Sequence, residues 1–258
     1  MTLLSRLLTP KPRTIERDVV AVTLADGRSV EVQRVRDPRA RRLRLSVDER
    51  GARLTLPVRA SLVSGARFLH EHRDWLATQL GNHNDDLPPL LRDQTAALPL
   101  RGEMLPLRWQ DGRFARLQRD GDGLVLQLTA RSGSAATHRA IRDFYETEAR
   151  ADIARWLPAY LPGLPRAPSQ IRLKTMSSQW GSLAPNGALA LDLSLVLAAP
   201  AAFEYVLVHE LCHLIHADHS PAFWREVSAR CPAWPTQRDY FHAEGRTLKR
   251  AMRRLLSG

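Results

Sequence analysis

His209-Glu210-Leu211-Cys212-His213-Leu214-Ile215-His216-Ala217-Asp218-His219 decides how this chain is read. In an α-helix, residues four apart stand about 40° from each other around the axis and one turn along it. His209 and His213 then project from one face, close enough for two imidazoles to grip one metal ion. Glu210 follows the first of them, where its carboxylate can reach a zinc-bound water without entering the ligand set. Two His on a helix, with Glu as general base, is the arrangement of a zinc hydrolase. The apolar run Phe203, Tyr205, Val206, Leu207, Val208, Leu211, Leu214 and Ile215 predicts a buried helix over 201–216. Two His and a Glu buried side by side without an ion would leave polar groups unsatisfied. Bound Zn2+ removes that objection.

A catalytic zinc takes three protein ligands and keeps a fourth position open for water. His219 would lie about 280° round a continuous helix from His209 and face away from the ion. The helix is therefore expected to end near His216 to Asp218, so that His219 swings back as third ligand. Ser220-Pro221 agrees: Ser is an N-cap, and Pro suits the first position of a second helix. The spacing H-E-x-x-H-x-x-H-x-x-H matches the metzincin pattern, except that His216 stands where that pattern has Gly. The turn must then be made differently, with Asp218 expected to take the left-handed region. His216 is a rival ligand but lies two turns along the axis; Glu226 and Glu244 are the carboxylate rivals. Cys212, about 60° round the helix from His209, reads as a core thiol.

The flanks carry a resemblance. Lys174 and Gln179-Trp180-Gly181-Ser182 come first, then an expected strand from Leu189 to Leu197 that runs into Ala198-Ala199-Pro200. Tyr205-Val206-Leu207-Val208 leads into the motif, and Asp218-His219-Ser220-Pro221-Ala222-Phe223-Trp224 closes it. This order resembles the YgjP-like zinc metallopeptidases, related to the SprT and WLM groups. There the segment runs R/K-x-x-W-G-S-C, strand, Y-V-V-V-H-E-L-x-H and N-H-S-x-x-F-W. The likeness is tight over the motif and its flanks, and looser over most of the chain. It implies that His209, His213 and His219 are zinc ligands and Glu210 is the catalytic base. Leu183 stands where the family often has Cys, and Asp218 where it often has Asn; neither is a ligand or the base.

Composition adds bounds. The chain has 258 residues, 44% of them hydrophobic, and a net charge of +11. That is enough for one large domain or two small ones. Lys occurs only at Lys11, Lys174 and Lys249, so 35 of the 38 basic residues are Arg. Such a skew fits a GC-rich genome, and the clusters Arg34–Arg44 and Arg246–Arg254 read first as solvated basic faces, second as anion-binding surfaces. Two cysteines, Cys212 and Cys231, point to a reducing compartment, and the cytoplasm is expected. Leu3-Leu4-Ser5-Arg6-Leu7-Leu8 is too short for a signal peptide or a span, and no membrane partner is expected.

The expected fold is α+β: a zincin-like C-terminal metallopeptidase domain with the HExxH helix, preceded by a β-rich N-terminal region. The divisions are a tail over 1–18, the β-rich region over 19–130 and the metallopeptidase domain over 131–258. Hairpins are expected around Asp26-Gly27, as a two-residue turn, and around Glu49-Arg50-Gly51, then one helix from Ser61 to before Gly81. A linker is expected over 82–97, strands over 98–109 and 113–129, and a helix over 137–161. Strands over 171–175 and 188–197 then flank Trp180-Gly181-Ser182, read as a turn. The leading function is hydrolysis of peptide or protein substrates. A metal-dependent nucleoside triphosphate pyrophosphohydrolase and a nucleic-acid-associated zinc protein are the alternatives; no Gly-rich phosphate loop supports the former. Tyr240, His242 and Lys174 are the candidates to stabilise an oxyanion.

Overall fold

The computed structural model describes residues 15–48, 51–81 and 90–257. The tail expected over 1–18 and much of the linker therefore lie outside the described residues. The chain divides into two compact units, Met1–Asp85 and Asp86–Gly258. The boundary expected at 130/131 followed the change from strands to helices. The division instead follows shared cores, and the later strands pack with the C-terminal helices.

In the first unit β1 (Glu16–Thr23) and β2 (Ser29–Asp37) pair antiparallel; β3 (Arg44–Asp48) and β4 (Gly51–Pro57) do the same. The sheet order is β1-β2-β4-β3, with β2 and β4 parallel. The first hairpin closes through Leu24–Arg28, longer than the expected two-residue turn, with Gly27 at φ 82°. Only Gly takes that region without strain. Alternation along β4 buries Ala52, Leu54 and Leu56 against Leu69, Leu76 and Leu80. Those leucines lie on α1 (Leu62–Glu71) and α2 (Arg73–Gly81), two helices where one is expected. The break is at His72, whose Nδ1 bonds the Phe68 carbonyl at 2.9 Å.

In the second unit β5 (Ala97–Leu100), β6 (Glu103–Asp111), β7 (Arg116–Asp120) and β8 (Gly123–Leu128) form a sheet of order β5-β6-β8-β7. The tight turn Arg101-Gly102 has both φ angles positive, at 53° and 83°. Its two N–H groups donate to the Val196 and Leu197 carbonyls at 2.9 and 2.8 Å, just ahead of the motif helix. Helix α3 (Ser134–Tyr160) covers this sheet with Ile141, Phe144, Tyr145 and Ile153.

A smaller sheet holds β9 (Gln170–Lys174), β10 (Gly181–Leu183) and β11 (Ala188–Asp192), in the order β10-β11-β9. Two expectations change here. Gly181 and Ser182 belong to an edge strand, not to a turn. The strand expected to reach residue 197 ends at Asp192, whose side chain accepts the Ser194 N–H at 2.9 Å and starts a buried 3-10 turn over Leu193–Leu197. The unit finishes with α4 (Pro200–Cys212), α5 (Pro221–Arg230) and α6 (Trp234–Leu256). The architecture is α+β, as expected. Among the described residues no helix is long and apolar enough to cross a membrane.

Candidate metal centre and active-site cleft

Helix α4 is apolar on nearly every face, so the motif lies within the core; Leu207, Val208, Leu211 and Cys212 are fully buried. Burial pushes the Cys212 thiol up to about 12, in keeping with a core role. The helix ends at Cys212, four residues earlier than the sequence implies. Its last turn tightens, with Leu214 N–H donating to the Leu211 carbonyl and Ile215 N–H to the Cys212 carbonyl, both at 3.0 Å. Among the described residues only Asp93 and Arg101 are non-glycines at positive φ, so Asp218 does not take the left-handed region. It shapes the turn by accepting the Ser220 N–H at 3.3 Å. Ser220 then caps α5, and Pro221 fills its first position.

This path brings His209, His213 and His219 together, with one nitrogen from each inside a 4.8 Å group that could hold a metal ion. The Nε2 atoms of His209 and His219 are 3.1 Å apart. Tetrahedral zinc with Zn–N bonds of about 2.0–2.1 Å requires about 3.3 Å between ligand nitrogens, so this pair needs little adjustment. His213 Nδ1 bonds the His216 carbonyl at 3.0 Å, which assigns the proton to Nδ1 and leaves Nε2 bare for an ion. Burial, and then the neighbouring His213 and His219, lower His209 to about 4; it is neutral at pH 7, as a ligand must be. His209 Nδ1 is buried without a partner. Its Nε2 faces a second imidazole nitrogen, an arrangement that an ion between the two would satisfy. The donor set fits zinc.

The rivals lie elsewhere. His216 contributes its backbone carbonyl to His213, Glu226 pairs with Arg230 at 2.8 Å, and Glu244 is not in the group. Phe223 and Trp224 of α5 pack on the imidazoles, with ring centroids 4.5 Å apart for His213–Phe223 and 5.8 Å for His219–Trp224.

Glu210 is 6% exposed and opens onto the same cleft as the three His. Burial pushes its carboxyl up to about 7. A dication alongside would draw it down again, because opposite charge favours the ionised form. A Cβ on Gly181 would sit 2.5 Å from Glu210 Cγ and 2.7 Å from Oε1. Gly181 is therefore a contact requirement of the Glu210 side chain, a role the sequence conceals because a Trp-Gly-Ser run reads equally well as a turn. Gly181→Ala is expected to lower kcat about 10²-fold with metal content unchanged, since small misplacements of a reacting group carry costs of that size. Metal analysis beside peptidase kinetics checks it; full activity would show that Glu210 does not need this space.

The cleft encloses about 830 Å³. It is lined by the β10 segment Gly181 to Leu183 and by Arg238, Phe241 and His242 from α6. Of the oxyanion candidates, only His242 lines it. Tyr240 turns away, its hydroxyl accepting the Ala199 N–H at 3.3 Å, and Lys174 is not among the lining residues. Arg238 is a residue the sequence reading misses. Its spacing of four from His242 on one helix face is the signal that could have found it.

Trp180, which also lines the cleft, packs on Phe241 with centroids 4.5 Å apart, and Gly245 leaves room for its ring. Lys249 Nζ lies 4.4 Å from the Trp180 ring centroid and donates to the Met176 and Gln179 carbonyls and to Asp192 Oδ2 at 2.8, 2.9 and 3.1 Å. Asp192 also accepts the Met176 N–H at 2.6 Å. A buried ion pair thus ties down the segment that enters β10 beside Glu210.

A mixed α+β unit with a three-His group and a buried carboxylate on one cleft has the parts of a metallopeptidase. The chain belongs to the YgjP-like family, whose metallopeptidase-domain model matches residues 41–244. No curated protein matches it. Among solved structures, it is similar to the metallopeptidase zymogen of Pyrococcus abyssi abylysin, at 21% identity over 39% of this chain and 93% of that one, with a TM-score of 0.30.

Proposed function

We propose that the protein is a zinc-dependent metallopeptidase in which His209, His213 and His219 hold the ion and Glu210 is the general base. The observation that carries this reading is the convergence of three imidazoles on one point beside a buried carboxylate. When bound, zinc supplies Lewis-acid chemistry that polarises a carbonyl and makes a water nucleophilic at neutral pH. Glu210 accepts the attacking water's proton and returns it to the departing amine. His242 and Arg238 line the same cleft and would supply donors for the developing oxyanion or for substrate carbonyls.

The edge of β10 supports a peptide substrate. Its only sheet neighbour among the described residues is β11, so an extended chain can add to the opposite edge by main-chain pairing. A cytoplasmic location goes with the two cysteines, both unbridged. The test is a substrate-class screen with and without a chelator. Casein-type substrates are expected to be cut, chelation to stop the cutting, and zinc to restore it, while nucleoside triphosphates stay intact. Chelator-sensitive nucleotide turnover with peptides untouched would replace the peptidase reading by a pyrophosphohydrolase.

A further inference from the structure

The Arg run that reads in sequence as a solvated face is gathered into one groove of the first unit. Arg39, Arg41, Arg42, Arg44 and Arg53 line a hollow of about 430 Å³, with Asp37 the one acid there. Strand register explains the gathering. Arg44 and Ser46 on β3 stand opposite Thr55 and Arg53 on β4, while the alternate β4 residues Ala52, Leu54 and Leu56 are buried under the helices. Arg53 and Arg44 therefore start from the face that the helices leave open, and because β3 is an edge strand Arg42 and Arg44 also border the helix side, where Leu43 and Leu45 lie. Asp37 is already engaged: its carboxylate accepts the Arg39 N–H at 2.8 Å, and its carbonyl accepts the Ala40 N–H at 3.0 Å, closing the turn that presents the arginines. The unit's ion pairs among the described residues run elsewhere, through Arg28–Asp26, Arg34–Asp18, Arg67–Glu71 and Arg73–Asp74. Among the described residues none of the five groove arginines has a carboxylate partner, and Arg53 Nε is buried with no hydrogen-bond partner at all.

A second hollow adjoins the first. Arg42 and Arg44 line both, and in the second they meet Phe68, His72 and Trp75. Phe68 and His72 stack with centroids 4.1 Å apart, and Trp75 is 40% exposed. A solvated charge face has no need of an open aromatic group beside it. Uncompensated guanidinium groups next to aromatic faces are what a phosphate backbone with unpaired bases requires.

We propose that this face of the first unit binds single-stranded nucleic acid, with phosphates along the arginine groove and a base against the Phe68–His72–Trp75 hollow. An acidic polypeptide would use the arginines but gain nothing specific from the aromatic group, so the aromatic side is what separates the two.

The test is fluorescence anisotropy of the full chain with labelled oligothymidylate and oligouridylate of about 20 nucleotides. Binding is expected to weaken linearly in log–log terms as salt rises, by about 0.7 in slope for each phosphate neutralised on a single strand. The Arg41→Ala, Arg42→Ala, Arg44→Ala, Arg53→Ala combination should flatten that slope by about 3, and the four Arg→Lys replacements should restore most of it. Trp75→Ala should weaken binding roughly tenfold at fixed salt with the slope unchanged. Arg113→Ala with Arg131→Ala, in the second unit, should bind like the parent. The Lys and Trp75 variants keep the test decisive even if the fourfold Ala chain misfolds. No binding at low salt, equal binding by the Trp75→Ala chain, or equal affinity for polyglutamate of the same charge would overturn the proposal.

Discussion

Glu210→Gln is expected to keep its metal and lose peptide turnover by roughly 10²–10⁴-fold, the usual contribution of a general base. Glutamine preserves the shape of a side chain that is 6% exposed and packed against Gly181, so the cleft should not rearrange. What it removes is the ability to accept a proton from the attacking water. The check is kcat measured beside metal content and a thermal melt. Turnover within a few-fold of the parent would mean that another group takes the proton, and His242 would then be the first to examine.

Lys249→Met should be the most damaging single change to stability. It leaves the Asp192 carboxylate, 2% exposed, without its cation, and frees the Met176 and Gln179 carbonyls. Removing one partner of a buried pair costs about 3–5 kcal/mol. For a unit of this size that lowers the melting temperature by roughly 6–20 °C. Asp192→Asn combined with Lys249→Met should recover part of the loss, because a neutral amide leaves no unpaired charge, although its single oxygen can keep only one of the two bonds that Oδ1 and Oδ2 accept from the Ser194 and Met176 N–H groups. Calorimetry of the three chains decides the matter. A Lys249→Met chain that melts with the parent would show that the pair does not hold the segment entering β10.

How far the sequence reaches is clearest around the motif. Ser220-Pro221 marks the second helix because capping is local chemistry, and the structure begins α5 there. The end of α4 is harder to read. Leu214 and Ile215 continue the apolar pattern, but the tightened last turn and the His213–His216 contact stop the helix at Cys212. Asp192 ends a strand that its apolar successors seem to prolong, because its side chain caps a 3-10 turn; pattern reading sees Leu193–Leu197 only as more buried residues. Pairing across long separations is likewise silent. Nothing local tells that β6 pairs with β8 in parallel, or that Gly181 approaches Glu210 from 29 residues away in the chain. The α+β class, the grouping of the three His and the place of Glu210 beside them were legible because they rest on helical spacing and burial. The cleft lining from α6, with Arg238, and the buried Lys249–Asp192 pair were not, because a basic C-terminal helix reads from sequence as solvated charge.

Metal analysis of the purified protein tests the central claim most directly. One zinc per chain is expected in the parent and in His216→Ala, whose side chain is outside the three-His group. Substitution of His209, His213 or His219 by Ala should each reduce retained zinc to a small fraction after dialysis. Stoichiometric zinc in the His209→Ala and His219→Ala chains, or loss of the metal in His216→Ala alone, would contradict the account.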